Sequence, residues 1–158
     1  MNERLKDEPA ARLELESGYR FRVSFGDDRR DLITDLAPPL GHGAGAEPTE
    51  LLAAAVGSCL ASSLLYCARK ARIEPLGIRA EVQLTPERRE GRVRIGRIEV
   101  HLVPRILESD RARFGVCLER FESYCTVAES VRRGIPIQVL VEPLTAPVPL
   151  EAHEPSAA

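Results

Sequence analysis

Four of the 158 residues are cysteines, and two of them are set where thiol chemistry could occur. Cys59 lies in the longest uncharged run of the chain, Leu51 to Ala68, and Cys125 falls at a helix break well downstream. A cysteine in an apolar helix packs as a small hydrophobe by default, and burial raises its pKa. To act as a nucleophile it must be a thiolate, which requires a cation or a helix N-terminus nearby to offset desolvation. On an ideal helix turning about 100° per residue, Leu52, Ala55, Ser63 and Tyr66 share the face of Cys59, and none is a base. The cation must therefore come from another segment, and the candidates are Arg20 and Arg22 on a strand or Arg29 and Arg30 in the loop after it. Cys125 directly precedes Thr126, which reads as the cap of a short helix whose positive end would favour a thiolate; as the last residue of a buried stripe it would instead be packing. Cys67, about 80° round the helix from Cys59, and Cys117, two turns before Cys125, read as packing residues.

The elements that must position these thiols form an α+β pattern. Leu13 and Leu15 alternate with charged residues as a half-buried strand. A turn at Ser17 and Gly18 follows, and residues 19–25 make the second strand of a hairpin, with Tyr19, Phe21, Val23 and Phe25 on one face. After the charged loop GDDRR, a short strand spans residues 31–36, and the segment PPLGHGAGAEP forms an irregular loop. Pro48 suits a first helical turn and Glu50 the positive dipole end, so a helix runs from residue 48 to about 71, where Arg69, Lys70 and Arg72 gather. Residues 78–85 and 92–103 alternate as paired strands about a polar turn PERREG. Their inward set changes parity at Gly96, which implies a bulge at Gly96 and Arg97. Ser109 is a plausible cap for a second helix with Phe114, Cys117, Leu118, Phe121 and Cys125 as its buried stripe. Thr126 and Glu129 read as a capping box, Gly134 as a helix stop, and residues 135–141 as a last strand.

The totals exclude several classes. Lys and Arg number 22 against 24 Asp and Glu, without the basic excess that binding a phosphate backbone demands, so nucleic acid is not an expected partner. The uncharged run has the length of a membrane span, but only six of its 18 residues are Leu or Val while nine are Ala, Gly or Ser, so it reads as the central helix of a soluble core rather than a membrane segment. The N-terminus carries no apolar export segment, and the chain is expected in the cytoplasm. No cysteines stand as C-x-x-C, and His42, His101 and His153 are far apart, so no metal and no cofactor is expected. The expected organisation is a flexible N-terminus over 1–11, a single domain over 12–143 and a flexible Pro-rich tail over 144–158.

The stretch EPTELLAAAVGSCLASSLLYCARK together with SYCTVAESVRRGIPIQVLVEP resembles the OsmC/Ohr superfamily, the osmotically inducible and organic hydroperoxide resistance proteins. The resemblance rests on Pro48 followed eleven residues later by Cys59, and on Cys125 followed by T-V-x-x-S-V-R-x-G-I and a β-branched strand. It implies an intertwined homodimer with two antiparallel sheets around long central helices and sites at the subunit interface. It also implies a peroxidase in which Cys59 is the peroxidatic thiol, Cys125 the resolving thiol and Arg20 the thiolate-stabilising arginine, with Arg22 second. The substrate would be an organic hydroperoxide and the reductant an external dithiol. In the family's peroxidases a glutamate directly after the helix-start proline holds the arginine. This chain has Thr49 there and Glu50 one position later, and it looks closer to the OsmC-like branches. Two alternatives remain open: a non-catalytic dimer binding an apolar small molecule at the interface, and a disulfide reductase or redox sensor using the same thiols.

Overall fold

The computed structural model describes residues 9–26 and 29–146, so Asp27, Asp28, His153 and the tail expected to be flexible from residue 147 on lie outside the described residues. Two compact units divide within the long helix, the first ending at Leu52 and the second beginning at Ala53.

The first unit is built on a three-stranded antiparallel sheet. Strand β1 (Arg12–Ser17) pairs with β2 (Arg20–Ser24), and β2 with β3 (Leu32–Thr34). Gly18, at φ 53°, supplies the left-handed conformation that the β1–β2 turn requires. The alternating pattern correctly identifies the strands, but β1 is not half-buried as expected. It is a sheet edge, and Leu13 and Leu15 remain 60% and 61% exposed, while Val23 is the buried residue of β2. After β3 the chain turns around one carboxylate. Asp35 is only 2% exposed and accepts backbone N–H groups from Leu36 at 2.9 Å, His42 at 3.0 Å and Ala44 at 3.1 Å. Gly41 must be glycine here, because a Cβ would lie 2.2 Å from the Leu36 carbonyl and 2.4 Å from Asp35 Oδ1. Glu47 and Glu50 complete the entry to the helix: Ala37 N–H donates to Glu47 Oε1 and Glu47 N–H to Glu50 Oε2, at 2.9 and 2.8 Å. The second contact is the back-reaching half of a capping box.

Helix α1 spans Pro48–Lys70, within a residue of its expected end. In the second unit it buries a stripe of Val56, Gly57, Leu60, Ser63, Leu64 and Ala68. Gly57 sets how close the helix comes to the sheet, since a Cβ there would meet Val82 Cγ2 at 2.7 Å. That sheet has four strands: β4 (Gly77–Arg89), β5 (Arg92–Leu107), β6 (Ile137–Val141) and β7 (Leu144–Ala146). Strand β4 pairs antiparallel with β5, whereas β6 and β7 both pair parallel to β5. The two-sheet α+β class is as expected, but the antiparallel expectation for this second sheet is corrected, because the chain reaches β6 through helices that cross back over the sheet.

Residues 86–89 continue β4 instead of turning. The hairpin is a two-residue one at Glu90 and Gly91, with φ of 52° and 75°, the paired positive values of a hairpin turn whose twist matches its strands. Gly96 is the bulged residue. Thr85 pairs with Arg97 and Pro86 with Ile95, and Pro86 lacks the N–H that a regular ladder would use there. Strand β7 lies in the segment expected to be flexible and is held by its parallel pairing with β5.

Helix α2 (Arg111–Leu118) follows a 3₁₀ turn at Glu108–Asp110, so its N-cap is Asp110 rather than Ser109. A second 3₁₀ turn, Phe121–Tyr124, leads to α3 (Thr126–Val131). The buried stripe is as expected at Phe114, Cys117, Phe121 and Cys125, carried across the break between the helices.

The Asp35 carboxyl is held below its ordinary pKa of 3.8, first by the Ala44 N–H and then by those of His42 and Leu36, against the opposing effect of desolvation. A depressed carboxyl stabilises the fold above its unfolded pKa, and that contribution disappears as pH falls through the lower folded value. Asp35→Asn is expected to lower the melting temperature at neutral pH and to reduce the difference in stability between pH 7 and pH 3. The amide replaces one acceptor oxygen with a donor, and thermal melts of both proteins across that range are the check.

Candidate active site

Cysteines of α1 and of residues 117–125 act on one another in two pairs. Cys59 raises the pKa of Cys125, and Cys67, whose Sγ donates to the Cys117 carbonyl oxygen at 3.7 Å, raises that of Cys117. All four cysteines are free; Cys59 and Cys67 are half-buried, and Cys117 and Cys125 buried.

Cys125 is itself the N-cap of α3. Its backbone is extended (φ −83°, ψ 98°), and its Sγ accepts the Ala128 N–H at 3.3 Å. The capping box expected at Thr126 and Glu129 is thus displaced by one residue. Thr126 is the first helical residue, and sulfur does the work of a capping oxygen. The sulfur does turn toward the helix end, but the helix does not win electrostatically. Burial, followed by the influence of the Cys59 thiol, pushes Cys125 up to about 11, against the lowering contributed by the Ala128 N–H and by Ser63. At neutral pH Cys125 is therefore a neutral S–H. Ser63 is a member of this site that the sequence reading placed on the face of Cys59 without giving it a role. It is 6% exposed, one turn beyond Cys59, and favours the ionised form of Cys125.

The charged candidates belong to the first unit. Arg20 opens β2 and pairs with Glu16 at 2.9 Å across the β1–β2 turn. Arg22 pairs with the same Glu16 and with Asp31 at 3.5 Å, which together keep its guanidinium protonated beyond its ordinary range, Glu16 contributing most. Arg29 stacks over Phe25 with its guanidinium carbon 5.9 Å from the ring centre. Glu50 is exposed and accepts the Glu47 N–H, so its carboxylate is engaged at the start of α1. The carboxylate that grips both strand arginines is Glu16, which the sequence reading missed. The signal was present in the hairpin, whose Ser17↔Arg20 pairing brings a residue just before the turn beside one just after it.

Two sheets, one long apolar helix and two pairs of free cysteines define an α+β protein with a candidate dithiol site. A family model described as OsmC-like protein matches residues 41–140, and the chain belongs to that family. Among solved structures, the chain is similar to an osmotic stress induced and detoxification response protein from Psychrobacter arcticus 273-4, described there as putative. Identity is 20%, 87% of this chain and 98% of that one are covered, and the TM-score is 0.69. It is also similar to the organic hydroperoxide resistance protein OhrB of Bacillus subtilis (20% identity, 84% and 97% covered, TM-score 0.59). A third, from Legionella pneumophila, is an organic hydroperoxide resistance protein OsmC (16% identity, 87% and 99% covered, TM-score 0.63). At these identities the structures establish the shared fold. A search of curated protein sequences finds no match.

The Cys59–Cys125 contact gives a titration signature. In a Cys67→Ser/Cys117→Ser background, thiolate absorbance is expected to show a step near 11 for Cys125. Adding Cys59→Ser should move that step down, because the hydrogen-bonding and electrostatic contributions of Cys59 vanish while desolvation stays. An unmoved step would show that burial alone sets the value.

Proposed function

We propose that the protein is a thiol-dependent peroxidase that reduces organic hydroperoxides, with Cys59 as the attacking thiol and Cys125 as the resolving one. The observation that carries this reading is the pairing of a half-buried Cys59 with a buried Cys125 whose pKa it raises and whose sulfur is fixed by the Ala128 N–H at 3.3 Å. Family membership and the similarity to organic hydroperoxide resistance proteins support it. The Cys59 thiolate attacks the O–O bond of ROOH; sulfur takes the hydroxyl as a sulfenic acid, and the alkoxide leaves and is protonated to ROH. The Cys125 thiol then attacks the sulfenic sulfur, forming the disulfide and releasing water. An external dithiol restores both thiols by exchange.

In this scheme Cys125 acts twice. As a neutral S–H it donates to the developing charge on Cys59, and its capping bond to Ala128 keeps its sulfur aimed for the second step. Arg20 is the guanidinium proposed to stabilise the thiolate, held in β2 by Glu16. Glu50 contributes by fixing the start of the helix that carries Cys59. The working form is proposed to be a cytoplasmic homodimer. Only 33% of the apolar window of α1 is buried within the chain, and the exposed face carries Ala54, Ala55, Ser58 and Ser62, small enough for a second helix to approach closely.

The test is hydroperoxide consumption by the reduced full chain with an external dithiol. Cys59→Ser is expected to abolish turnover. Cys125→Ser should leave a sulfenic acid trappable by dimedone, and Arg20→Ala should slow the first step by roughly 10²-fold, as for loss of a charge-stabilising donor. If Cys59→Ser consumes hydroperoxide as fast as the parent, the peroxidase reading is wrong and the binding of an apolar small molecule takes its place.

A further inference from the structure

The second cysteine pair, Cys67 and Cys117, has the parts of a redox couple in its own right. Cys67 lies in the last turns of α1 and is half-buried, while Cys117, in the last turn of α2, is 2% exposed. The Cys67 Sγ donates to the Cys117 carbonyl oxygen at 3.7 Å, which sets the two cysteines side by side. This is the same division of exposure as in Cys59 and Cys125.

A cation accompanies the more exposed sulfur. The Lys70 ammonium stands 4.8 Å from the ring centre of Tyr66 and 5.9 Å from that of Tyr124, whose rings pack edge to face at 5.6 Å. Tyr66 above all, then Tyr124 and Cys67, favour its protonated state. Lys70 follows Cys67 by three residues, so the two side chains lie on neighbouring positions of one helix face. Burial, followed by the contact with Cys67, raises Cys117 to about 11, so it waits as a neutral thiol.

We propose that Cys67 and Cys117 form a second dithiol–disulfide couple, in which an organic hydroperoxide oxidises Cys67 and Cys117 closes the bond. The Cys67 sulfur takes the hydroxyl of ROOH and releases ROH; Cys117 displaces that hydroxyl as water, and an external dithiol returns two electrons and two protons. Closing the bond to an S–S length of about 2.05 Å calls for rotation of the Cys67 sulfur from the Cys117 carbonyl toward its thiol. The bond staples the end of α2 to the end of α1. It cannot exchange directly with Cys59 and Cys125, because eight helical residues separate the couples by about 12 Å. The Cys67–Cys117 couple works independently of whether Cys59 and Cys125 turn over hydroperoxide.

The experiment uses the full chain carrying Cys59→Ser and Cys125→Ser, reduced and then treated with cumene hydroperoxide. The expected result is loss of both remaining thiols, a mass lower by two hydrogens and a Cys67–Cys117 cross-linked peptide, all reversed by dithiothreitol. In the triple variant with Cys117→Ser as well, dimedone should trap Cys67 as a sulfenic acid. The same cross-linked peptide must also appear in the oxidised parent, which guards against misfolding of the variants. Persistence of both thiols, oxidation to sulfinic acid without a cross-link, or a disulfide only between chains overturns the proposal. The complementary Cys67→Ser/Cys117→Ser protein reads the Cys59 and Cys125 chemistry alone, so failure of either couple is seen separately.

Discussion

One sulfur atom ties the local structure to the chemistry. Cys125 Sγ satisfies the Ala128 N–H at the start of α3, and it can do so only with an extended backbone that points the side chain into the core. In that orientation the thiol is buried and its ionisation is influenced by Cys59 and Ser63 on α1. A capping hydroxyl would give α3 a stronger cap but no thiol at this contact. The cost is electrostatic: a buried sulfur is hard to ionise, so this position suits a neutral donor and capturing thiol rather than an attacking one.

The approach of α1 to its sheet makes the contact possible. Gly57 lets the helix settle onto Val82, and the stripe from Val56 to Ala68 follows the same face for three turns. Both segments place cysteines eight residues apart, and two cysteine pairs form between them, Cys67 bonding to the Cys117 carbonyl and Cys59 acting on Cys125. The break between α2 and α3 does not disturb this spacing, since the 3₁₀ turn at Phe121–Tyr124 keeps the buried stripe continuous.

Acidic residues organise the first unit. Glu16 holds Arg20 and Arg22, Asp35 gathers three backbone donors in a loop with little apolar content, and Glu50 completes the entry to α1. A carboxylate with two oxygens and several lone pairs is suited to each task, because it can serve more than one donor at once. The exposed Leu13 and Leu15 of β1, like the small-residue face of α1, are apolar surface of the kind that association would cover.

The sequence by itself determined the elements whose signals are local. The long helix follows from Pro48, the uncharged run and the basic residues at its end; the hairpins follow from alternation; the bulge follows from a change of parity at Gly96. The motif around Cys59 and Cys125 was enough to suggest the family. Tertiary structure decided what depends on distance across the chain: that β6 and β7 run parallel to β5, that Glu16 rather than a helix residue grips the strand arginines, that Cys125 caps α3, and that Cys67 meets Cys117. Periodicity along a chain reports which face of an element is buried, whereas the partner on that face is chosen by packing between segments remote in sequence. For that reason Cys67 and Cys117 read as ordinary packing residues until the fold set them against each other.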